Sequence, residues 1–234
     1  MLTVDFDRLG VRVGDLALDA GCGFGRHSIE FIMRRARVFS MDMDMECARK
    51  TRFALVEMNK TGISPDHSNF CAHTGDALCL PFRDNTFDRI ICSEVMEHVR
   101  DDRRACRELA RVLKKNGTIA ITVPTRFSEA LYDLLTYEYY TSPGGHIRRY
   151  YPGQLAEIMR SSGLEIYAVG HKHAFHTIWW IIRCVVGLHN AEHPITKAYH
   201  RFLYLGLFSN FMRRVEGFLN YFFPKSLVLY AWKK

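Results

Sequence analysis

The 234-residue sequence lacks the patterns that mark membrane-spanning, disulfide-rich, secreted or repetitive proteins. No apolar run reaches the roughly 18 to 20 residues that a membrane-spanning helix needs. The most apolar segment, 174–188, contains His176 and Arg183. The seven cysteines include no C-x-x-C pair, so we expect free thiols and not a disulfide framework. Acids stand near the start where a signal peptide would be apolar, and no repeat or low-complexity linker follows. These absences predict a cytoplasmic protein with one α/β domain and an elaboration.

Net charge is missing from the first 170 residues and concentrated in the rest. The chain carries +7, and residues 171–234 account for all of it, with nine basic and two acidic side chains. The same segment holds all three tryptophans. Basic and aromatic residues on amphipathic helices are typical of binding to anionic membranes or lipid-like substrates. We therefore expect an anionic membrane surface as a partner of residues 171–225, and a location peripheral to the membrane. The basic residues alternate with large apolar ones and no RNA-binding motif is present, so the pattern does not favour nucleic acid.

A glycine turn follows the first apolar run of the chain. The run Leu16–Ala20 predicts a buried parallel strand, and Gly21, Gly23 and Gly25 follow it at alternate positions before a helical pattern begins. A strand, a glycine turn and a helix form the first half of a βαβ unit, and open sheets bind ligands beyond the ends of such strands. With Asp19 the motif reads D-x-G-x-G-x-G, which differs from the G-x-G-x-x-G fingerprint of dinucleotide-binding folds.

Polar residues also follow the next three predicted strands. Asp42 ends the second apolar run, where dinucleotide-type folds hold an acid that accepts hydrogen bonds from ribose hydroxyls. Asp44, two residues later, suits the N-cap of the next helix. Asp76 stands in the segment T-G-D-A-L-C-L-P-F after the third strand, and the fourth strand, predicted over 87–92, leads into Ser93.

These segments resemble the motifs of Rossmann-like, class I S-adenosylmethionine-dependent methyltransferases, closely over residues 12–124 and loosely over 146–170. The likeness is to the small-molecule methyltransferases of ubiquinone and menaquinone biosynthesis. It implies that S-adenosyl-L-methionine is the cofactor, with the glycines against its methionine part, Asp19 near its amino group and Asp76 near the adenine amino group. The residues that the resemblance assigns to cofactor binding are Asp19, Gly21, Gly23, Gly25, Asp42, Asp76, Ala77 and Ser93.

The order of elements predicts an α/β fold, and the resemblance implies its architecture. We expect a doubly wound, seven-stranded, mostly parallel sheet with an antiparallel last strand and a helical cap inserted before that strand. The Rossmann-like core is expected over residues 1–170, the cap over 171–225 and the last strand over 226–234. Three helices are predicted in the cap. We expect them either to cover the substrate pocket or simply to pack their apolar faces on the core.

The motif E-x-x-E-H lies just beyond the fourth strand and comprises Glu94, Glu97 and His98. An oxygen nucleophile needs a base or a metal ion before it attacks the methyl group of the sulfonium, so the catalytic candidates are His98, Glu94 and His146. Two carboxylates beside an imidazole suit Mg²⁺, Mn²⁺ or Zn²⁺. The motif also resembles the metal site of ubiquinone-biosynthesis O-methyltransferases and of small-RNA 2′-hydroxyl methyltransferases, in which a distant histidine takes part. By that resemblance the metal ligands are Glu94, Glu97, His98 and His146; the alternative is that His98 acts as a base without metal.

The sequence thus predicts an enzyme that transfers a methyl group from S-adenosylmethionine to a small-molecule or lipid-like substrate, at oxygen. Two alternatives stay open. One is a membrane-peripheral relative that binds the cofactor without transfer activity. The other is an RNA 2′-hydroxyl methyltransferase that uses the E-x-x-E-H segment.

Overall fold

The computed structural model describes residues 1–64, 69–136, 145–187, 190, 192–206 and 209–234. Within these residues, seven strands form one mixed sheet in the order β3-β2-β1-β4-β5-β7-β6. The strands are β1 Leu16–Ala20, β2 Arg37–Asp42, β3 Phe70–Thr74, β4 Phe87–Ser93, β5 Leu113–Pro124, β6 Leu164–Lys172 and β7 Ser226–Lys233. The pairs among β1 to β5 are parallel, whereas β7 lies antiparallel between β5 and β6. The predicted seven-stranded sheet with an antiparallel last strand is confirmed.

The chain changes direction across the sheet at β1. It runs outward from β1 to β2 and β3 on one side, then returns to β4 and β5 on the other side. Loops that leave neighbouring strand ends in opposite directions open a crevice at the carboxyl edge of the sheet, and this is where open α/β sheets bind ligands. The crevice lies between the segments that follow β1 and β4.

Helices connect these strands. Those before β6 are α1 Phe6–Leu9, α2 Arg26–Met33, α3 Met45–Lys60, α4 Asp102–Val112, α5 Arg126–Leu135 and α6 Pro152–Ser161. Those between β6 and β7 are α7 Ala174–Val186, α8 Pro194–Gly206 and α9 Asn210–Leu219. A short 3₁₀ turn, Met96–His98, follows β4. None of the described helices combines the length and the apolar composition needed to cross a bilayer.

Apolar side chains cover both faces of the sheet because successive residues of a strand point to opposite sides. In β1, Leu18 and Ala20 belong to one apolar cluster and Ala17 to the other. A strand buried on both faces has a nearly continuous apolar sequence, which is the pattern that predicted it. Asp19 is the polar residue in this strand, and it is fully buried.

The pair Asn116-Gly117 is typical of a turn, yet β5 begins before it, at Leu113. Leu113 pairs with Phe87, and regular pairing resumes between Thr118 and Arg89. The intervening residues therefore form an irregularity within the strand. Because the pairing partner of Leu113 comes from a distant part of the chain, local turn residues did not reveal it.

The segment between β6 and β7 begins later than the predicted cap boundary at 171. β6 continues through Lys172 because that residue pairs with Ser226 of β7. Asn220, which directly follows α9, is buried. Its Oδ1 accepts a hydrogen bond of 2.9 Å from the backbone of Ala174, so it joins the end of α9 to the start of α7.

Candidate active site

A cleft of about 1040 Å³ lies at the carboxyl edge of the sheet, where the chain changes direction. Its walls are the glycine turn after β1, the end of β2, the loop after β3 and the segment after β4. The lining brings together these residues predicted from sequence: Gly21, Gly23, Asp42, Asp76, Ala77, Ser93, Glu94 and His98. The other predicted site residues, Asp19, Gly25, Glu97 and His146, do not belong to the lining.

Backbone geometry explains the glycines of the turn after β1. Gly21 has a φ of +76°, and a Cβ at this position would stand 2.0 Å from Val95 Cγ2. Both the dihedral angle and the close approach exclude a larger residue. Gly25 has a φ of +81°, and a Cβ there would stand 2.9 Å from the Thr51 side chain of α3. Gly25 therefore allows α2 and α3 to pack closely, while the bare backbone of Gly21 and Gly23 faces the cleft.

Asp42 joins the end of β2 to the glycine turn. One carboxylate oxygen accepts a hydrogen bond of 2.8 Å from the Gly23 amide, and the other accepts one of 2.9 Å from the Asp44 amide. Asp44 caps α3 as predicted, because its side chain accepts a hydrogen bond of 2.8 Å from the Glu46 amide. Both acids line the cleft, and they differ in the contacts they make: Asp44 caps a helix, whereas Asp42 fixes the glycine turn.

The loop after β3 forms the wall next to Asp42, where the Gly75 amide donates a hydrogen bond of 2.9 Å to the Asp42 carbonyl. Asp76 Oδ1 accepts a hydrogen bond of 2.8 Å from the Leu78 amide, which fixes the direction of the carboxylate. Gly75 precedes it without room for a side chain, since a Cβ would stand 2.4 Å from Met41 Sδ. Gly75, Asp76 and Ala77 all line the cleft. A carboxylate beside a close-packed, apolar surface suits a flat ring that carries an amino group.

Asp19 lies within the sheet beneath the glycine turn. It is completely buried, and the Ser28 hydroxyl donates a hydrogen bond of 2.6 Å to its Oδ2. Burial raises the pKa of Asp19 to about 6, although this hydrogen bond acts in the opposite direction. Its Oδ1 has no hydrogen-bond partner among the described residues. A buried carboxylate with an unsatisfied oxygen stabilises a positive charge placed near it.

Arg26 is a lining residue that sequence reasoning missed. It begins α2 directly after Gly25, and its Nη2 donates a hydrogen bond of 3.3 Å to Ser93 Oγ. Ser93 Oγ in turn lies 2.9 Å from Thr122 Oγ1. The bridge places a guanidinium across the cleft from α2 to the end of β4. The only signal in the sequence was the position next to the last glycine.

Glu94 forms an ion pair with Lys225, a second residue that sequence reasoning missed. Lys225 Nζ donates a hydrogen bond of 2.6 Å to Glu94 Oε2, and both side chains are more than four-fifths buried, with exposures of 17% and 19%. Burial would raise the pKa of Glu94, but the Lys225 charge and hydrogen bond outweigh it, so the pKa is lowered. Glu94 is therefore a stable carboxylate. Its partner lies 131 residues away in the chain, beyond any local pattern.

Glu97, His98 and His146 form a separate cluster in which one ligand atom of each lies within 4.8 Å of the others. Both carboxylate oxygens of Glu97 are buried without a hydrogen-bond partner among the described residues. Burial, and then the charge of Glu94, raise the pKa of Glu97 well above its ordinary value. Burial and the neighbouring His146 lower the pKa of His98. The structure thus brings together three of the four predicted metal ligands and places Glu94 with Lys225 instead.

Glu129 supports this cluster from α5. Its Oε1 lies 2.5 Å from His146 Nδ1, and the carboxylate is 1% exposed. A carboxylate that holds one ring nitrogen of a histidine fixes the orientation of the other. Glu129 was not predicted from sequence, since a glutamate in an amphipathic helix carries no sign of such a role.

A mixed sheet of this order, with a glycine turn after β1 and acids after β2 and β3, is the arrangement that the resemblance to class I methyltransferases implies. Comparison with protein families agrees: residues 18–121 match the family described as the methyltransferase domain. Over this segment, the resemblance to S-adenosylmethionine-dependent methyltransferases noted in the sequence is confirmed.

Similar proteins include named quinone-biosynthesis enzymes. The chain is 35% identical over 108 residues to demethylmenaquinone methyltransferase from Thermobifida fusca, a match that covers 46% of this chain and 43% of that protein. It is 30% identical over 137 residues to the ubiquinone/menaquinone biosynthesis C-methyltransferase UbiE from Ruegeria sp., covering 56% of this chain and 52% of that protein. The chain thus spans about half the length of the curated relatives it matches.

A solved structure resembles the chain over its whole length. A SAM-dependent methyltransferase from Methanosarcina mazei superposes with a TM-score of 0.64 at 16% identity, covering 100% of this chain and 99% of that one. At this identity the likeness concerns the fold.

Proposed function

We propose that this protein binds S-adenosylmethionine in the cleft and transfers its methyl group to a small, lipid-like acceptor. The observation that carries the proposal is the arrangement of acids and glycines along the cleft. Asp42 and Asp76 line the cleft on the β2 and β3 side of the Gly21 turn, where a φ of +76° and the close approach of Val95 leave no room for a side chain. Asp19 adds a buried carboxylate oxygen that lacks a partner in the described part of the chain. These carboxylate oxygens are hydrogen-bond acceptors, and they fit the donor groups of ribose hydroxyls, an adenine amine and an ammonium group.

The catalytic task of the protein follows from the cofactor. When bound, S-adenosylmethionine supplies a methyl group that its sulfonium already activates, so the protein has to align the acceptor and exclude water. His98 lines the cleft and offers a ring nitrogen to an acceptor hydroxyl, from which it takes the proton. The Glu94–Lys225 ion pair holds the adjoining wall in place.

A phenol-like or quinol-like acceptor agrees with the names of the relatives. Removal of the proton from such a hydroxyl leaves negative charge on its oxygen and on the adjacent ring carbons. The predicted transfer to oxygen completes the reaction in one step, whereas transfer to a ring carbon also releases the proton of that carbon. The Ruegeria relative is named as a C-methyltransferase. One base at His98 serves either atom, and the product identifies which one accepts the methyl group.

The experiment that tests the proposed function uses a radiolabelled methyl donor. The protein is incubated with labelled S-adenosylmethionine and with separate lipid, aqueous and RNA fractions of a cell extract. We expect label in the lipid fraction, in a component that mass spectrometry identifies as methylated. Label in RNA would support the RNA methyltransferase alternative, and cofactor binding without transfer to any fraction would support the inactive relative. Both of these outcomes contradict the proposal.

As an alternative to base catalysis by His98, we propose that Glu97, His98 and His146 bind a divalent metal ion. The unsatisfied carboxylate oxygens of Glu97 between two imidazoles, and the Glu129 carboxylate on His146, are features of metal sites. A divalent ion there would lower the pKa of an acceptor hydroxyl. Glu94 is engaged by Lys225, so the donor set differs from the four-residue site that the motif resembles.

Removal of metal separates this proposal from base catalysis by His98. After thorough chelation we expect methyl transfer to fall at least about tenfold and to return when Mg²⁺, Mn²⁺ or Zn²⁺ is added. Metal should also raise the melting temperature of the wild-type protein but not that of Glu97→Gln, whereas Glu46→Gln, a change of an exposed glutamate on α3, should behave like wild type. If chelation does not change the rate of methyl transfer, and metal does not change the melting temperature, the protein does not use a metal ion at this cluster.

We also propose that the segment between β6 and β7 binds an anionic membrane surface. In α9 and the turn after it, Phe211, Phe218 and Phe222 are exposed at 72%, 64% and 56%, and no residue of α9 is buried. Their spacing of seven and four residues places them on one side of the helix. Arg213 and Arg214 are exposed on the same helix. Exposed aromatic rings beside arginines suit the headgroup region of an anionic bilayer.

Vesicle flotation tests the membrane proposal. The double change Phe218→Ser and Phe222→Ser is expected to reduce binding to vesicles that contain phosphatidylglycerol at least about tenfold, because two large apolar side chains no longer enter the bilayer. Phe53→Ser is the matched control, since Phe53 is 68% exposed on α3. If the double variant and the control bind the vesicles equally, Phe218 and Phe222 do not form a membrane-binding surface.

A further inference from the structure

Arg26, the first residue of α2, brings a guanidinium to the lining of the cleft. Its two hydrogen bonds within the described part of the chain go to neutral oxygens, at 3.5 Å to the Met1 carbonyl and at 3.3 Å to Ser93 Oγ. Both distances exceed the range of about 2.7–3.2 Å that is typical of N–H···O bonds. Because a guanidinium carries several N–H groups, Arg26 keeps donors for a ligand in the cleft.

No carboxylate among the described residues forms an ion pair with Arg26. The charge of Arg26 lowers the pKa of both Asp19 and Glu94, so these two acids lie near it. However, Glu94 is paired with Lys225, and Asp19 is completely buried beneath the glycine turn, where the Ser28 hydroxyl holds one of its oxygens. The positive charge of Arg26 therefore faces the cleft without a carboxylate in direct contact.

The start of α2 favours a negative charge at the same place. Gly25 begins the helix without a side-chain cap, and the first turn contains no acid, so the positive end of the helix is not neutralised locally. His27, the next residue, also lines the cleft. It is 2% exposed, and its Nε2 has no hydrogen-bond partner in the described residues. This wall thus combines a cation, a helix N-terminus and an unpaired ring nitrogen.

We propose that Arg26 binds the carboxylate of the methionine part of the methyl donor. The inference rests on the proposed function. An amino acid carries an ammonium and a carboxylate on one carbon atom, and the buried Asp19 suits the first group while Arg26 suits the second. A guanidinium recognises a carboxylate through two parallel hydrogen bonds. Arg26 then makes the cleft selective for nucleosides that retain this carboxylate. A carboxylate on the acceptor would offer Arg26 the same chemistry, and the experiment distinguishes the two sources.

Calorimetric titration compares two ligands that differ in one group, S-adenosylhomocysteine and its decarboxylated analogue. We expect wild type to bind S-adenosylhomocysteine at least about thirtyfold more tightly than the analogue, and Arg26→Gln to reduce this preference to about threefold. The affinity for the decarboxylated analogue should be nearly the same in both proteins. Arg26→Lys keeps the charge without the paired N–H groups, so its preference should fall between the two.

A purely structural role for Arg26 predicts a different result. If Arg26 serves to hold Ser93 in place, Arg26→Gln should weaken both ligands equally and leave the preference unchanged. Arg107→Gln, a matched change of an exposed arginine on α4, should keep the wild-type affinities. An unchanged preference in Arg26→Gln would overturn the inference and leave the proposed function intact. Equal binding of the two ligands by wild type would do the same, as expected if Arg26 serves an acidic acceptor. Binding of neither ligand would refute the inference and the proposed function together.

Discussion

Replacing Asp42 with alanine is expected to weaken the binding of S-adenosylhomocysteine about a hundredfold. We propose that this carboxylate, at the end of β2, accepts hydrogen bonds from both ribose hydroxyls, and each charge-assisted bond contributes about 1.5–3 kcal/mol. Asp42 also accepts hydrogen bonds from the Gly23 and Asp44 amides at 2.8 and 2.9 Å, so its loss loosens the glycine turn as well. Isothermal titration calorimetry measures the affinity directly.

Two further variants separate these contributions. Asp42→Asn keeps one acceptor oxygen without the charge, and it should fall between wild type and Asp42→Ala. Asp101→Ala removes the hydrogen bond to the Arg104 amide that caps α4, away from the cleft lining, so it should cost about 1 kcal/mol of stability and leave the affinity nearly unchanged. If Asp42→Ala binds S-adenosylhomocysteine as tightly as wild type does, the ribose does not lie at the end of β2.

The second large effect is expected at His98. Changing His98 to alanine should lower turnover roughly 10²- to 10⁴-fold, because the acceptor hydroxyl loses the group that takes its proton. Affinity for S-adenosylhomocysteine should stay close to that of wild type, since His98 lies on the 3₁₀ turn after β4 and not beside Asp42 on β2. Single-turnover kinetics with saturating donor measure the transfer step.

The control for His98 is another exposed imidazole. His171 lies on β6 and does not line the cleft, so His171→Ala should turn over at the wild-type rate. Added imidazole should restore part of the activity of His98→Ala if the residue acts as a base. It should not restore activity if the main role of His98 is to hold a metal ion. Unchanged turnover in His98→Ala would remove the residue from the chemistry.

The sequence predicted those parts of the site whose structure depends only on a short segment of the chain. The glycine turn needs only the residues from Asp19 to Gly25, and Asp42 stands at the end of a recognisable apolar strand. Each of these signals reflects a backbone requirement, such as the φ of +76° at Gly21, which few residues other than glycine satisfy. Local requirements of this kind can be read from a single sequence.

The parts that could not be predicted depend on tertiary packing. Glu94 looked like a metal ligand because of its spacing from Glu97, but the fold brings Lys225 to within 2.6 Å of it. His146 was correctly placed near His98, whereas the Glu129 carboxylate that holds it lies on α5 without any motif. In each case the partner residue is brought into place by the packing of elements that are far apart in the chain. Hydrophobic periodicity and motif spacing do not specify that packing.

The position of β7 within the sheet has a consequence for folding. Pro124 at the end of β5 pairs with Ser226, roughly a hundred residues later in the chain, and β6 is joined to the sheet through β7. During synthesis, the outer edge of β5 therefore stays without its final neighbour until the intervening helices have been made. Pairings of such long range slow folding, and open strand edges attract other chains. The nascent protein should accordingly depend on chaperones at the stage when β5 is complete and β7 has yet to be translated.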